Sequence, residues 1–378
     1  MKKVLIAHQS TIPHYRIPFY NALEKLKPDS WCFDVVFDPS ELNQPQFFKE
    51  QLDLRQFKFS ILAVNTVGVK IANKNISYQT FWQRAAEYDL VIVEQALNNL
   101  TYPLCQLYQL TKSKFAYWGH GKHIGVENPS LAKSLSEQLK MLLTRKADGF
   151  FAYTSSVKSH LLERRVSSDK VFVLNNTIDI KAQRDAFEQW QHQKAEIRRS
   201  LGLEGKKVLL FVGRFSKGKR IDFLLEAFSI LHQKDASFHL LLVGSNGETY
   251  LEQQQNISYF GSITDLAKLA PIYVAADIFS FPGLVGLGPL QALCYDLPIV
   301  TIDSQSHKPE IEYLSPLNSL ILASDTTPED YAGKIIELFE DVEQLQKLQN
   351  NTWSSIEHLT IERMAQNFIE GVNTILQT

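Results

Sequence analysis

Short apolar runs alternate along this chain with longer amphipathic stretches. KVLIAH (3–8), DLVIVE (89–94), KFAYW (114–118), GFFAY (149–153) and VFVL (171–174) are rich in Val, Ile and aromatic residues, the pattern of strands buried on both faces. Helical periodicity fills the spaces between them; SLAKSLSEQLKMLLTRKADG sets Leu131, Leu135, Leu139 and Leu142 on one face. The alternation then begins again with KKVLLFVG (206–213), FHLLLVG (238–244), ISYFG (257–261), DIFSFPG (277–283), LPIVTID (297–303) and LILAS (320–324). Strands interleaved with helices predict parallel sheets, so an α/β protein of two Rossmann-like, doubly wound domains in tandem is expected. NNTID (175–179) marks the boundary, giving domains over 1–180 and 181–357, with the polar helical stretch 181–207 as the connection. Beyond Ser324 the chain reads as almost wholly helical, and its last segment, about 358–378, is expected to pack back onto the first domain.

A length of 378 residues with 44% hydrophobic composition is ample for two cores. The net charge of −2 shows no footprint of nucleic-acid binding, which needs a basic domain or stripe. The halves differ: residues 1–190 hold 24 Lys and Arg against 18 Asp and Glu, or +6, leaving 15 against 23, or −8, for the rest. A basic first half suits an anionic partner such as a membrane surface, or is scattered solvated charge. Helix 130–146, with Lys133, Lys140, Arg145 and Lys146 beside its leucines, fits either a lipid-facing helix or a core-packed one with a basic edge. Cys32, Cys105 and Cys294 are too widely spaced for a metal or redox pair and read as thiols in a reducing compartment. The apolar run Val4–Ala7 is too short for a signal core, and no stretch nears the ~20 apolar residues of a membrane span. A cytoplasmic protein is expected, at most peripheral at the inner face of a membrane.

Two segments carry chemistry. In FVGRFSKGKRIDFLLEAF (211–228) a strand ends, Gly213 turns the chain, and Arg214 and Lys219 flank a loop into an amphipathic helix. Two cations at the mouth of a strand–loop–helix unit are what a leaving diphosphate requires. FPGLVGLGPLQALCYDLP (281–298) ends a strand in a turn of Gly286, Leu287 and Gly288 before a helix opened by Pro289. Such a turn lets backbone amides approach an anion. Yet no Asp or Glu lies between Ile278 and Tyr295.

These segments, with LLLVG, ISYFGSI, YVAADIFSFPG, VGLGPLQALCYDLPIVT and KPEIEYL over about 206–325, resemble the second domain of retaining, nucleotide-sugar-dependent glycosyltransferases of family 4, which have the GT-B fold. HYRIPFY (14–20), YWGHGK (117–122) and RKADGFFAYTSSVKSHL (145–161) are weaker matches in the first half. The resemblance implies that Arg214 and Lys219 hold the donor diphosphate, with Gly213 and the Gly286–Leu287–Gly288 turn cradling phosphates and ribose. It implies that His120 lines the donor-sugar pocket across the cleft between domains, and that His14 and Arg16 face the acceptor or the diphosphate. Tyr259, with Gly261, falls where the family's base-binding loop lies. Many members carry two glutamates in the Gly-turn region, one on the transferred sugar and one on the ribose. Here the second position is Gln291 and the first is near Gly283 or Val285. A neutral amide at Gln291 can still hydrogen-bond a ribose hydroxyl. The sugar contact is expected from SHKPEIEYL, with Glu310 as the substitute acid and Glu312 second.

No cofactor is expected beyond the nucleotide-sugar donor, with UDP-sugars favoured because they are common in the family. No Asp-x-Asp pair is present, and His120 with His123 is a weak metal pair without acidic neighbours. No G-x-G-x-x-G follows a strand, which counts against a dinucleotide-dependent oxidoreductase. The expected protein is a retaining transferase acting on a saccharide or lipid-linked acceptor, by resemblance in bacterial surface polysaccharide or glycoconjugate assembly. The alternative is a non-catalytic nucleotide-sugar-binding protein.

Overall fold

The computed structural model describes residues 1–7, 12–40, 54–71, 74–109, 113–121, 131–245, 247 and 256–377. The chain folds as two compact units, residues 1–178 with 361–378 and residues 179–360.

In the first unit the elements run β1 (Lys2–Ala7), α1 (Ile17–Leu26), β2 (Trp31–Phe37), β3 (Ser60–Ala63), β4 (Thr66–Ile71), β5 (Lys74–Gln79), β6 (Leu90–Glu94), α2 (Thr101–Gln109), β7 (Lys114–Gly119), α3 (Leu131–Lys146), β8 (Gly149–Ala152), α4 (Ser155–Glu163) and β9 (Val171–Val173). Seven strands form one parallel sheet in the order β3-β2-β1-β6-β7-β8-β9. β4 and β5 pair separately as an antiparallel hairpin. The continuous apolar runs are strands because helices cover both sheet faces: Val4, Leu5, Ile6 and Leu90–Val93 have essentially no exposed surface.

The second unit runs α5 (Ile180–Trp190), α6 (Lys194–Ser200), β10 (Lys207–Val212), α7 (Ile221–Lys234), β11 (Phe238–Val243), β12 (Ile257–Tyr259), α8 (Leu266–Ala275), β13 (Ile278–Ser280), α9 (Gly288–Leu293), β14 (Ile299–Ile302), β15 (Ser319–Leu322), α10 (Pro328–Glu340) and α11 (Val342–Ile356). Its six strands are again all parallel, in the order β12-β11-β10-β13-β14-β15. Asp179 begins this unit by accepting a bond from the Ala182 amide, which caps α5.

The last helix, α12 (Ile361–Gln377), returns to the first unit and lies along α1. Phe368 stacks on Phe151 at 4.5 Å between ring centres and meets Trp118 and Phe19 at 5.5 Å each. The helix sits so close to the sheet that a Cβ on Gly371 would lie 2.5 Å from the Phe151 ring. The α/β fold of two doubly wound sheets expected from the sequence is the one observed, and the eleven apolar runs named above are all strands. β2, β3 and the β4–β5 hairpin were not among them.

Candidate functional site

Strand order reverses in the second unit between β10 and β13, which are adjacent in the sheet but are separated in sequence. At such a switch point the loops leaving the two strands diverge to opposite faces, and a crevice opens at their carboxyl ends. Both segments singled out for diphosphate chemistry are these loops.

They are locked together. The Leu284 amide donates to the Gly218 carbonyl at 2.8 Å, and Lys219 Nζ donates to the Leu284 carbonyl at 2.6 Å. The ammonium also stands 4.6 Å from the centre of the Phe281 ring. Gly283 is the closest point of approach: a Cβ there would lie 2.4 Å from the Lys219 backbone. One of the two positions aligned with the family's first glutamate thus has no room for any side chain. At the other, Val285 is fully buried. Arg220, which opens α7, is held in the left-handed region at φ 53°, an uncommon conformation for a residue with a side chain. Gly283→Ala is expected to cost about 1–3 kcal/mol of stability through this overlap. Urea unfolding of the variant tests it, and an unchanged midpoint would show that the loops are not tightly joined.

A third loop, after β14, completes the cluster. Lys308 N–H donates to the Val285 carbonyl at 3.0 Å. Val285 N–H in turn donates to His307 Nδ1 at 3.0 Å, and His307 Nε2 lies 2.9 Å from the Ile302 carbonyl. With Nδ1 accepting, Nε2 carries the proton and donates. Burial lowers the His307 pKa, which keeps the ring neutral in this bridging role. Glu310 is buried at 4% exposure, whereas Glu312 is exposed. Burial and the neighbouring Lys308 push the Lys219 pKa down to about 8, with Glu310 acting in the opposite direction. Lys308 is exposed overall, yet partial desolvation lowers its pKa as well, again opposed by Glu310. The structure therefore brings Lys219, Lys308 and Glu310 into one electrostatic group. Neither His307 nor Lys308 was singled out in the sequence; both lie in the SHKPEIEYL stretch, and their position beside the glycine turn was the missing information.

The other expected site residues fall as follows. Gly213 follows the last residue of β10 and precedes Arg214, which is exposed. Gly286, Leu287 and Gly288 are half-buried, and α9 spans six residues, so its dipole is small and the turn's amides matter more. Gln291 donates its amide to Gln183 at 3.0 Å, and Gln183 also accepts from the Tyr295 hydroxyl; the Gln291 NH2 thus serves the packing of α5. Tyr259 donates its hydroxyl to the Gly244 carbonyl at 2.8 Å and accepts from the Gly247 amide, bracing the turn after β11. In the first unit, His120 follows β7 between Gly119 and Gly121, half-buried, with its ring 4.6 Å from that of Tyr153. His14 is half-buried ahead of α1.

Arg16, expected in the first strand-to-helix loop facing the acceptor or the diphosphate, is not on a solvated loop: it is 1% exposed, enclosed by Tyr15, Trp118 and Tyr153 with its guanidinium 4.9–5.4 Å from their ring centres. It donates to Asn176 and reaches the Met364 sulfur on α12. The aromatic cage substitutes cation–π contact for hydration, and the side chain ties α1 to α12. His123 lies outside the described residues. Among the described residues no group of three His, Cys, Asp or Glu side chains is gathered to hold a metal ion.

Comparison with known proteins adds sequence evidence to this geometry. Residues 206–341 match the family described as Glycosyl transferases group 1. Spore coat protein SA of Bacillus subtilis (strain 168) is 26% identical over 200 residues, 47% of this chain and 52% of that protein, so the match spans about half the relative's length. Among solved structures, Anabaena HepE in complex with UDP aligns with a TM-score of 0.70 at 14% identity, over 99% of this chain and all of that one. A UDP-GlcNAc 2-epimerase from Neisseria meningitidis, bound to UDP-GlcNAc, aligns with a TM-score of 0.62 at 17% identity, over 98% and 99%. The structural likeness establishes a GT-B fold. The sequence match to group 1 glycosyl transferases lies within the second unit, over residues 206–341.

Proposed function

We propose that the chain transfers a sugar from a UDP-sugar to a saccharide or lipid-linked acceptor, with retention at the anomeric carbon, in surface polysaccharide or glycoconjugate assembly. The observation carrying this reading is the desolvated Lys219, beside Lys308 and the buried Glu310, at the switch point of the second sheet. Relatives give it direction: HepE and the epimerase were solved with UDP or a UDP-sugar, and a further relative is encoded in a Klebsiella pneumoniae cps region.

In the proposed reaction the bond from C1 to the β-phosphate oxygen breaks as the acceptor oxygen bonds C1 on the same face, and the departing phosphate oxygen takes the acceptor proton. Negative charge develops on the diphosphate, and Arg214, Lys219 and Lys308 are the groups assigned to meet it, without a divalent cation. A cation already fixed and partly desolvated, as Lys219 is by its bond to the Leu284 carbonyl, stabilises that charge without reorganising. Glu310 is assigned to a donor-sugar hydroxyl, and Gln291 Oε1 to the ribose. The acceptor is assigned to the first unit with His14 as a candidate contact, and His120 is assigned to the donor sugar.

Thermal unfolding with UDP, GDP, dTDP and their sugars, with EDTA throughout, tests donor choice. A uridine nucleotide at ~100 times its Kd should stabilise by about 2.7 kcal/mol, the others less. UDP release followed alongside product anomer configuration by NMR tests the chemistry. An α-linked donor should yield an α-linked product or, slowly, free α-sugar. Stabilisation with no UDP release under any acceptor supports the non-catalytic binding reading, and appearance of the 2-epimer of UDP-GlcNAc would replace transfer by epimerisation.

A further inference from the structure

Helices α2 and α3 turn their leucines outward. On α3, Lys140 is buried and pairs with Glu137 at 2.9 Å, and Met141 and Thr144 are buried beside it. Leu135, Leu139 and Leu142, at i, i+4 and i+7, are exposed instead, Leu135 at 65%. This inverts the usual arrangement of a surface helix, in which lysine takes the water and leucine the core. The neighbouring helix repeats the pattern: Leu100, Leu104 and Leu107 share the same spacing and are exposed, Leu107 at 61%. The two helices adjoin, for Gln106 on α2 donates to the Leu143 carbonyl of α3 at 2.7 Å. Five exposed leucines thus stand on adjacent helices, with Leu100 one residue ahead of α2, where single scattered ones would need no explanation.

The charge next to them is net positive. Arg145 and Lys146 end α3, both exposed. Arg145 Nε donates to the Arg164 carbonyl at 2.8 Å, which brings the exposed Arg164 and Arg165 to the same end of the face. Glu163 and Asp169 are exposed acidic side chains nearby, so these four cations outnumber them. Leucines flanked by cations are the composition of a surface that enters the headgroup layer of an anionic bilayer, with apolar side chains in the acyl boundary and cations on the phosphates.

We propose that the α2–α3 face of the first unit docks on the surface of an anionic phospholipid bilayer, with the leucines inserted and the Arg145–Arg165 cluster on the headgroups. This rests on the surface alone and stands whether or not the chain transfers a sugar.

Cosedimentation of the full chain with vesicles tests it. Vesicles of phosphatidylcholine with three parts in ten phosphatidylglycerol should bind the protein, phosphatidylcholine alone should bind it weakly, and raised salt should release it. L135Q/L139Q/L142Q should lower the partition coefficient at least about tenfold, and L104Q/L107Q should lower it too. K146E/R165E should lower binding only to the anionic vesicles. All these positions are on the surface, so each variant should keep the parent's Tm. The proposal is overturned if the parent ignores anionic vesicles, or if the leucine variants bind as well as the parent. It is equally overturned if light scattering shows a parent dimer that those substitutions dissociate while vesicle binding is absent.

Discussion

Lys219→Met is expected to lower kcat/KM for sugar transfer by about 10²–10³-fold, with most of the loss in kcat. The size follows from what one preorganised donor contributes when it faces charge that develops in the transition state within a desolvated site. Methionine keeps the length and apolar bulk of the side chain, so the loop should stay folded, and only the ammonium with its bond to the Leu284 carbonyl and its contact with the Phe281 ring is lost. Steady-state UDP release with the parent and the variant, alongside their Tm values, gives the comparison. A loss below about threefold at equal stability would remove Lys219 from the chemistry.

Glu310→Gln is the second large expectation, and its signature is a displaced pH profile. Glu310 raises the pKa of Lys219 against burial and against Lys308, so neutralising it drops that pKa below about 8. In the proposed reaction the donor diphosphate binds the protonated ammonium. In the parent, donor affinity should therefore be steady below about pH 8 and fall as pH rises through it, whereas in the variant the fall should begin at lower pH. The lost hydroxyl contact should in addition lower kcat by about tenfold, the order of a hydrogen bond to a charged acceptor. A pH profile unchanged in shape would show that Glu310 does not act on Lys219.

The sequence made the sheets legible because a strand buried on both faces declares itself by a continuous apolar run, as in KVLLFV of β10. β2 carries Asp34 in its middle, bonded to the Tyr88 hydroxyl, so its run is broken by a polar residue whose partner lies 54 positions away. β3 is an edge strand with three of its four residues exposed, and β4 is polar enough to leave Val67 and Val69 in solvent. Neither has the signal of a buried strand.

The same reasoning separates the site residues. Arg214, Lys219 and the glycines follow from strand ends and turns, which are local. Pro309 signalled a structured turn, and Glu310 lies within it, half of a pair whose burial differs although the two are two residues apart. The enclosure of Arg16 was not readable, because Asn176 and Met364 are 160 and 348 residues distant. Nor was the absence of a carboxylate near Gly283 explicable from sequence: its cause is the Lys219 backbone, which the sheet topology brings against it. The leucine spacing of α3 was plain, but which way the face turns depends on what packs beneath it.

The central claim is that the loops after β10, β13 and β14 bind a uridine diphosphate through a lysine that titrates near pH 8. Calorimetric titration of the full chain with UDP, in EDTA, at about pH 7 and about pH 9 in buffers of different ionisation enthalpy, tests it most directly. The account predicts binding at both, roughly tenfold weaker at the higher pH, with uptake of close to one proton there and none of this pH dependence in Lys219→Met. Equal affinity at the two pH values with no proton uptake, or a Lys219→Met variant that binds UDP as the parent does, would contradict it.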